Sequence, residues 1–547
     1  MTFRRLVVAI ALLLPAMTTV PLPSGAADAD LAAVACSMPH EWLLRIWRGW
    51  RPDHGGNLQI VAREPNFVGQ GLPHVGPWDY VQDVPMFWYG PGYIRAQGSV
   101  KRPVTSAGIA PTEAKLLNFP FSAPDGSPMT EALIPADERA NPEPPKLIVT
   151  VVWDAGGIDV LDANADAWPY LKSLIPKGTW YDHATVGSSP TSTAQIHANM
   201  GTGAFPNHHG LVGHRLMVGG SITTPWGEGP NLIILPTLAD LYDRAKQNEP
   251  KVGIVATVNI HFGMMGHGAF FTGGDKDIAM TRSVTTGDTL TDEGFEWNLP
   301  RNIQRYYTLP PYLKNVPGFQ EDVEAVDAAD GQRDGKWRTN DIDQLLGGFD
   351  TPARTPYQER VLETVIRREG FGADDVSDLM FANFKEIDYI SHIWTMNSLE
   401  MHDAVVVQDR ALKSLVSFLN AEVGRGNWVL GLTADHGAIP DPKISGAFQI
   451  SSTPIGTGIN DAFDHDGDDV PIVELIQPTQ LFVDEAELRQ NGGTLEEVAR
   501  WIMDLTEANT AGPGVQVPAS EAGEKVFQAA FPSALMTNLD CLPEATE

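Results

Sequence analysis

The sequence predicts an α/β fold, a mostly parallel sheet with helices on both faces and an inserted cap. Three observations carry this. Runs rich in β-branched and aromatic residues at 147–153, 252–256, 379–384, 428–433 and 481–483 have the length and density of buried strands. Helical patterns lie between them, and alternation of the two element types requires parallel strands covered on both sides. A length of 547 residues, 43% hydrophobic and 20% charged, supplies apolar surface for one dominant core.

In chain order, Arg4 and Arg5, an apolar run over 6–14, Pro15 and the small residues Ser24-Gly25-Ala26 read as an export signal over 1–26, so the mature protein is expected to be secreted or periplasmic. The apolar run falls well short of the ~20 residues that span a bilayer, and no later segment is a membrane-spanning candidate. Residues 137–145, polar and proline-rich, read as a linker ahead of the first strand. Residues 236–246 start with Pro and read as a helix, as do residues 398–419, where Leu399, Val406, Leu412 and Leu419 recur on one face. Gly, Asp and Pro clusters over 266–353 break the rhythm and read as a cap over the sheet. A single domain over 27–547 is therefore expected, with its core in 146–265 and 354–485 and a C-terminal segment over 486–547.

Lys and Arg number 38 against 69 Asp and Glu, a net charge of -31, which excludes nucleic-acid polymers and anionic membrane surfaces as partners of most of the exterior. The only cysteines are Cys36 and Cys541. In an oxidising compartment such a pair points to a disulfide, with two unpaired thiols on the tails as the alternative.

Three of the predicted strands run into acidic or imidazole side chains. Asp154 follows the first, Asp388 and His392 follow the run at 379–384, and Asp435-His436-Gly437 follows the run at 428–433. Ligands of open α/β sheets bind outside the carboxyl ends of the strands, so these side chains can converge in one crevice. Asp and His together suit zinc. Each alone has an ordinary reading as a capping Asp or a satisfied buried His.

A fourth segment reads Thr193-Ala194-Gln195-Ile196-His197, continuing through Thr202-Gly203 and Phe205-Pro206 to His209-Gly210-Leu211. This run resembles the alkaline phosphatase superfamily, in its branch of type I phosphodiesterases and nucleotide pyrophosphatases. The resemblance implies a phosphoric ester hydrolase acting on a small phosphate ester, with Thr193 as the nucleophile and two Zn2+ as cofactors. It assigns Asp154, Asp435, His436 and the Thr193 oxygen to one zinc, and Asp388 and His392 to the other. His197, one helical turn past Thr193, is expected to be structural.

The family's third ligand to the second zinc is a histidine near its C-terminus, and only His465 lies beyond His436 here. His465 sits in an acidic loop over 461–469 better suited to solvent or calcium. Residues 72–90, LPHVGPWDYVQDVPMFWYG, resemble the family's late His-Gly-Ser-Pro segment. Ile109-Ala110-Pro111-Thr112 with Leu116-Leu117, Asp125-Gly126 and Glu131-Ala132-Leu133 resembles the family's final residues after that segment. Those segments stand at the end of the family's chains and at the front of this one. The resemblance thus implies a circular permutation of the block 40–135, with His74 as the missing ligand and Cys36 and Cys541 as neighbours that close the break.

Two departures bear on the substrate. His214 stands where the family places an Asn on the phosphate, and Asn259-Ile260-His261 stands where its monoesterases carry a Lys-x-Arg clamp. A histidine can still donate a hydrogen bond to phosphate, and the missing doubly cationic clamp favours phosphodiesters over monoesters. Phosphomonoester hydrolysis and a non-catalytic extracellular binding protein on the same fold are the alternatives.

Overall fold

The computed structural model describes residues 30–227, 229–284, 295–345 and 350–546; the expected export signal lies outside them. The strands that build the sheets are β1 (Leu58–Ala62), β2 (Met86–Tyr89), β3 (Gly98–Val100), β4 (Leu147–Trp153), β5 (Thr179–Tyr181), β6 (Val252–Val255), β7 (Asp277–Val284), β8 (Phe295–Asn298), β9 (Tyr307–Thr308), β10 (Asp378–Phe384), β11 (Trp428–Thr433), β12 (Val473–Ile476), β13 (Gln480–Val483) and β14 (Phe527–Pro532). The helices that matter here are α1 (Leu31–Cys36), α2 (His40–Arg48), α3 (Ile109–Leu116), α4 (Thr193–Thr202), α5 (Leu238–Ala245), α6 (Arg354–Glu369), α7 (Glu386–Ile393), α8 (Leu399–Leu419) and α9 (Leu495–Met503).

A ten-stranded sheet runs in the order β8-β7-β6-β10-β4-β11-β2-β5-β3, with β9 paired to β7 off this path. Its centre is parallel: β4 lies between β10 and β11, and β6 pairs with β10. Every residue of β4 and β10 is buried, because helices cover both faces. Along β4 the faces alternate. Val149, Val151 and Trp153 pack with α6 and α8 residues such as Leu362 and Leu415, whereas Ile148 and Val152 pack with Ala114 of α3, Ile196 of α4 and Tyr242 of α5. Helix α5 starts at a Thr237–Asp240 capping box, and α8 at Ser398, whose side chain accepts the Met401 N–H.

A buried hydrogen bond to an ionisable group bridges the layers. Thr150 of β4 donates to Glu113 of α3, and burial pushes the Glu113 carboxyl up to about 8.

Two expectations change. Residues 266–353 do not simply cover the sheet: β7 and β8 extend it at one edge, with Trp297 of β8 stacked on Tyr357 of α6, and the later residues Leu313, Phe319 and Trp337 pack against the α6–α8 layer. The run at 481–483 forms β13 in a separate antiparallel sheet, β12-β13-β1-β14. That second sheet mixes the two ends of the chain, β1 pairing with β13 and β14. Helices α1, α2 and α9 share its apolar core through Leu31, Leu43 and Val498. A Cys36–Cys541 disulfide, with Cα atoms 5.8 Å apart, joins the ends covalently.

Candidate active site

The carboxyl ends of the central strands converge. Asp154 follows β4, Asp435 and His436 follow β11, and Asp388 and His392 sit one turn apart on α7, which begins just after β10. Asp154, Asp388, Asp435, His436, His74 and Thr193 are all buried. His74 arrives from the front of the chain on the loop before β2, which runs antiparallel beside β11. The Asp-His-Gly turn must pass close to that block, since a Cβ on Gly437 would stand 2.1 Å from the Tyr80 carbonyl oxygen.

His74, Asp388 and His392 form one group: Asp388 Oδ1 is 3.0 Å from His74 Nε2 and 3.5 Å from His392 Nε2. His436 Nε2 stands 3.3 Å from Asp435 Oδ2 and 3.5 Å from Asp154 Oδ1. The two sets adjoin, the His74 and His436 rings stacking at 3.6 Å. His465 stays outside, exposed in its loop, its N–H donating to Asn491.

These residues fit divalent metal ions. Nδ1 of His74, His392 and His436 faces a backbone carbonyl, of Thr191 (3.3 Å), Gly71 (2.7 Å) and Gly437 (3.0 Å) respectively. Each Nδ1 therefore carries the proton and leaves the Nε2 lone pair aimed at the carboxylates, the orientation that metal-binding histidines adopt. Asp388 Oδ1, Asp435 Oδ2 and His436 Nε2 are buried without hydrogen-bond partners. Tetrahedral ligands at about 2.0–2.1 Å from zinc stand about 3.3 Å apart, in keeping with these separations. Burial and the neighbouring Asp154 charge push the Asp435 carboxyl far up, so a carboxylate there needs a cation.

One residue in this centre escapes sequence reasoning. Lys385, buried at the β10–α7 corner, places Nζ 2.9 Å from Asp154 Oδ1, 2.8 Å from Asp388 Oδ2 and 3.4 Å from Thr193 Oγ1. Burial opposes its charge, but Asp154 and Asp388 outweigh burial and hold the ammonium firmly protonated. Burial likewise opposes the Asp154 carboxylate, and Lys385 holds its pKa well below the usual range. The other oxygen of Asp154 takes hydrogen bonds from Asn383 (3.0 Å) and His261 (3.2 Å). His261 thus supports Asp154 from beneath, and Ile260 is the residue of 259–261 that reaches the cleft. His197 braces the same layer, with Nδ1 against the Thr193 carbonyl at 2.7 Å and Nε2 against Asn383 at 2.9 Å.

Hydrogen bonding sorts the three adjacent hydroxyls. Thr191 donates to the His74 carbonyl (2.7 Å) and accepts from the Gly76 N–H, pinning the incoming loop. Ser192 donates to Gln195 (2.8 Å). Thr193, the first residue of α4, is left facing Lys385, where the helix N-terminus favours an anion.

A cleft of about 550 Å3 opens over Thr193, Lys385 and Asp388. His214 and Arg215 line it, both exposed to solvent, with Val212, Ile260 and Leu475 supplying apolar wall. Residues 475–480, leading into β13, close its far side.

The fold and the placement of the site at the carboxyl ends of its strands are alkaline-phosphatase-like. The crystal structure of wild-type alkaline phosphatase PafA superposes on the fold with a TM-score of 0.51 at 19% identity, covering 71% of this chain and 84% of that one. The chain belongs to the type I phosphodiesterase / nucleotide pyrophosphatase family, whose model matches residues 148–521. It is 25% identical over 342 residues to a "Calcium-transporting ATPase" of Myroides odoratus and 24% identical over 355 residues to alkaline phosphatase PafA of Elizabethkingia meningoseptica. Each match takes in 55% of this chain and 61% of the relative, so the chain spans about three fifths of the length of these curated relatives. Among the described residues no helix is long and apolar enough to cross a membrane.

Proposed function

We propose that the protein is an exported, zinc-dependent phosphodiesterase that works through a phosphothreonine at Thr193. The observation that carries this reading is the Thr193 hydroxyl, set at a helix N-terminus and facing a buried cluster in which three imidazole Nε2 atoms converge on three aspartates. In this reading Asp154, Asp435, His436 and Thr193 hold one zinc, and Asp388, His392 and His74 hold the other.

Bound zinc supplies Lewis-acid charge to the ester oxygens and lowers the pKa of the Thr193 hydroxyl. The remaining work falls to the chain. Thr193 Oγ gives up its proton to solvent and attacks phosphorus as the bond to one ester oxygen breaks, and that oxygen takes a proton from solvent and leaves as an alcohol. Water then attacks the phosphothreonine, the Thr193–phosphorus bond breaks, and the hydroxyl is restored. Lys385 stabilises the Thr193 oxygen as it loses its proton. His214 donates a hydrogen bond to a non-bridging oxygen, and the wall of Val212, Ile260 and Leu475 receives an ester substituent.

That apolar wall, and His261 turned toward Asp154 in place of a paired clamp, favour a diester. Arg215 at the cleft supports monoester hydrolysis as the second reading, since its guanidinium can bind a dianion. The test is hydrolysis of a nitrophenyl diester and a nitrophenyl monoester by the zinc-loaded protein. Faster turnover of the diester is expected; faster turnover of the monoester selects the second reading, and no turnover of either points to a binding protein.

Residues 40–135 are read as the permuted C-terminal block of ordinary family members. Pairing of β1 with β13 and β14, and the disulfide between residues 36 and 541, support the neighbouring ends that such a permutation needs. The disulfide also supports export to an oxidising compartment.

A further inference from the structure

Apart from the catalytic cluster, a second group of carboxylates lies at the edge of the sheet. Asp243 sits in the last turn of α5, and Asp275 and Asp277 lead into β7. Their ligand atoms lie within 4.8 Å of one another. Asp243 and Asp277 are only 5% and 9% exposed. Asp243 Oδ1 is sealed from solvent and has no hydrogen-bond partner.

A buried carboxylate normally finds a cation or several N–H donors. Here the charges acting on Asp243 come from Asp275 and Asp240, and those acting on Asp277 from Asp243, Asp240 and Asp275, all acidic. Of the neighbouring bases, Lys276 Nζ donates to the Gln304 carbonyl (2.7 Å) and His267 is held by Asp240 (2.7 Å) and the Ile233 carbonyl (2.8 Å), while Arg244 lines the same cavity without an ion pair to any of the three carboxylates. Burial and these like charges push the Asp243 carboxyl up to about 7 and Asp277 well up. The acidic loop at 461–469 differs, because Asp466 accepts from Gln490 and Asn491, and Glu487 accepts from Asn491.

We propose that Asp243, Asp275 and Asp277 form a calcium site that ties the end of α5 to the start of β7. Three oxygen donors of this charge suit a hard cation, and a spread within 4.8 Å can be bridged by one ion with bonds of about 2.3–2.6 Å. A cavity of about 190 Å3 beside Asp243 and Asp277 leaves room for the waters that complete six to eight ligands. Magnesium, which keeps near-ideal octahedral geometry and most of its water, fits three carboxylates less well.

The test titrates calcium chloride into zinc-loaded protein in calcium-free buffer by calorimetry, with thermal unfolding in parallel. One Ca2+ per chain and a rise in Tm of several degrees are expected. An Asp243→Asn/Asp277→Asn variant should lose both effects while keeping its zinc content and ester hydrolysis. Without calcium it should melt above the wild type, because the like charges are gone. An Asp466→Asn variant should bind calcium as the wild type does. Absence of calcium binding by the wild type, or binding that survives the double substitution, overturns the proposal. Terbium luminescence from the wild type, quenched by added calcium, reads the site without reliance on the variant's folding.

Discussion

Replacing Glu113 by Gln removes a buried proton-binding group from the packing between α3 and the central strand β4. Burial raises Glu113 from 4.5 to about 8, so the folded protein keeps it protonated where the unfolded chain has already ionised it. Its contribution is therefore fully present below pH 4.5 and is lost as pH rises toward 8, because over that window the unfolded state binds fewer protons. The span of three and a half pH units, at 1.36 kcal/mol each, gives about 5 kcal/mol as an upper figure, since water drawn toward a buried carboxylate reduces it. Glu113→Gln keeps the acceptor for Thr150 and does not titrate. The assay is denaturant unfolding of both proteins between pH 5 and pH 9 at fixed zinc. The stability of the variant relative to wild type should climb by several kcal/mol across this range, with the climb ending near pH 8. A difference that stays constant within about 0.5 kcal/mol refutes the reasoning, because zinc binding and all other titrations are common to both proteins.

Three further outcomes bear on the reaction. Thr193→Ala should lower kcat at least about 100-fold while zinc content and Tm stay near wild type; retention of more than about a hundredth of the activity rules out the covalent route. His74→Ala should take the bound zinc from two ions per chain to one, read by elemental analysis, and an unchanged count removes His74 from the second set. Lys385→Met removes a charge-assisted contact worth about 1.5–3 kcal/mol, so kcat should fall about 10- to 100-fold with zinc still bound; unaltered kcat denies Lys385 a part in the first step.

The middle of the fold was readable because β4, β10 and β11 are buried on both faces and so carry mostly apolar runs. The polar residues just past their ends stood out against those runs, and a sheet with one carboxyl edge brings them together. The edge of the sheet was hidden for the opposite reason. Strands β7 and β8 lie in a stretch rich in Gly, Asp and Pro, and β8 runs antiparallel, so no βαβ rhythm marks them. A short run such as 481–483 says strand without saying which sheet. Lys385 was invisible to local reasoning, since a lysine at a strand-to-helix corner ordinarily snorkels to solvent. Its charge acquires meaning only when Asp154 and Asp388, distant in sequence or in the next turn, are known to flank it. Arg215, beside His214, carries no local signature, because an arginine in an exposed loop is ordinary in sequence.

The Cys36–Cys541 bond spans 505 residues and turns nearly the whole described chain into a covalent ring. A single proteolytic cut at any exposed loop within the ring opens it without releasing a fragment, and the nicked protein keeps every residue attached. Such a molecule has no preferred place to start or stop. The loop tips of this protein are therefore natural places to move its ends, and a nick there, with the disulfide intact, leaves the two pieces tethered on the same fold.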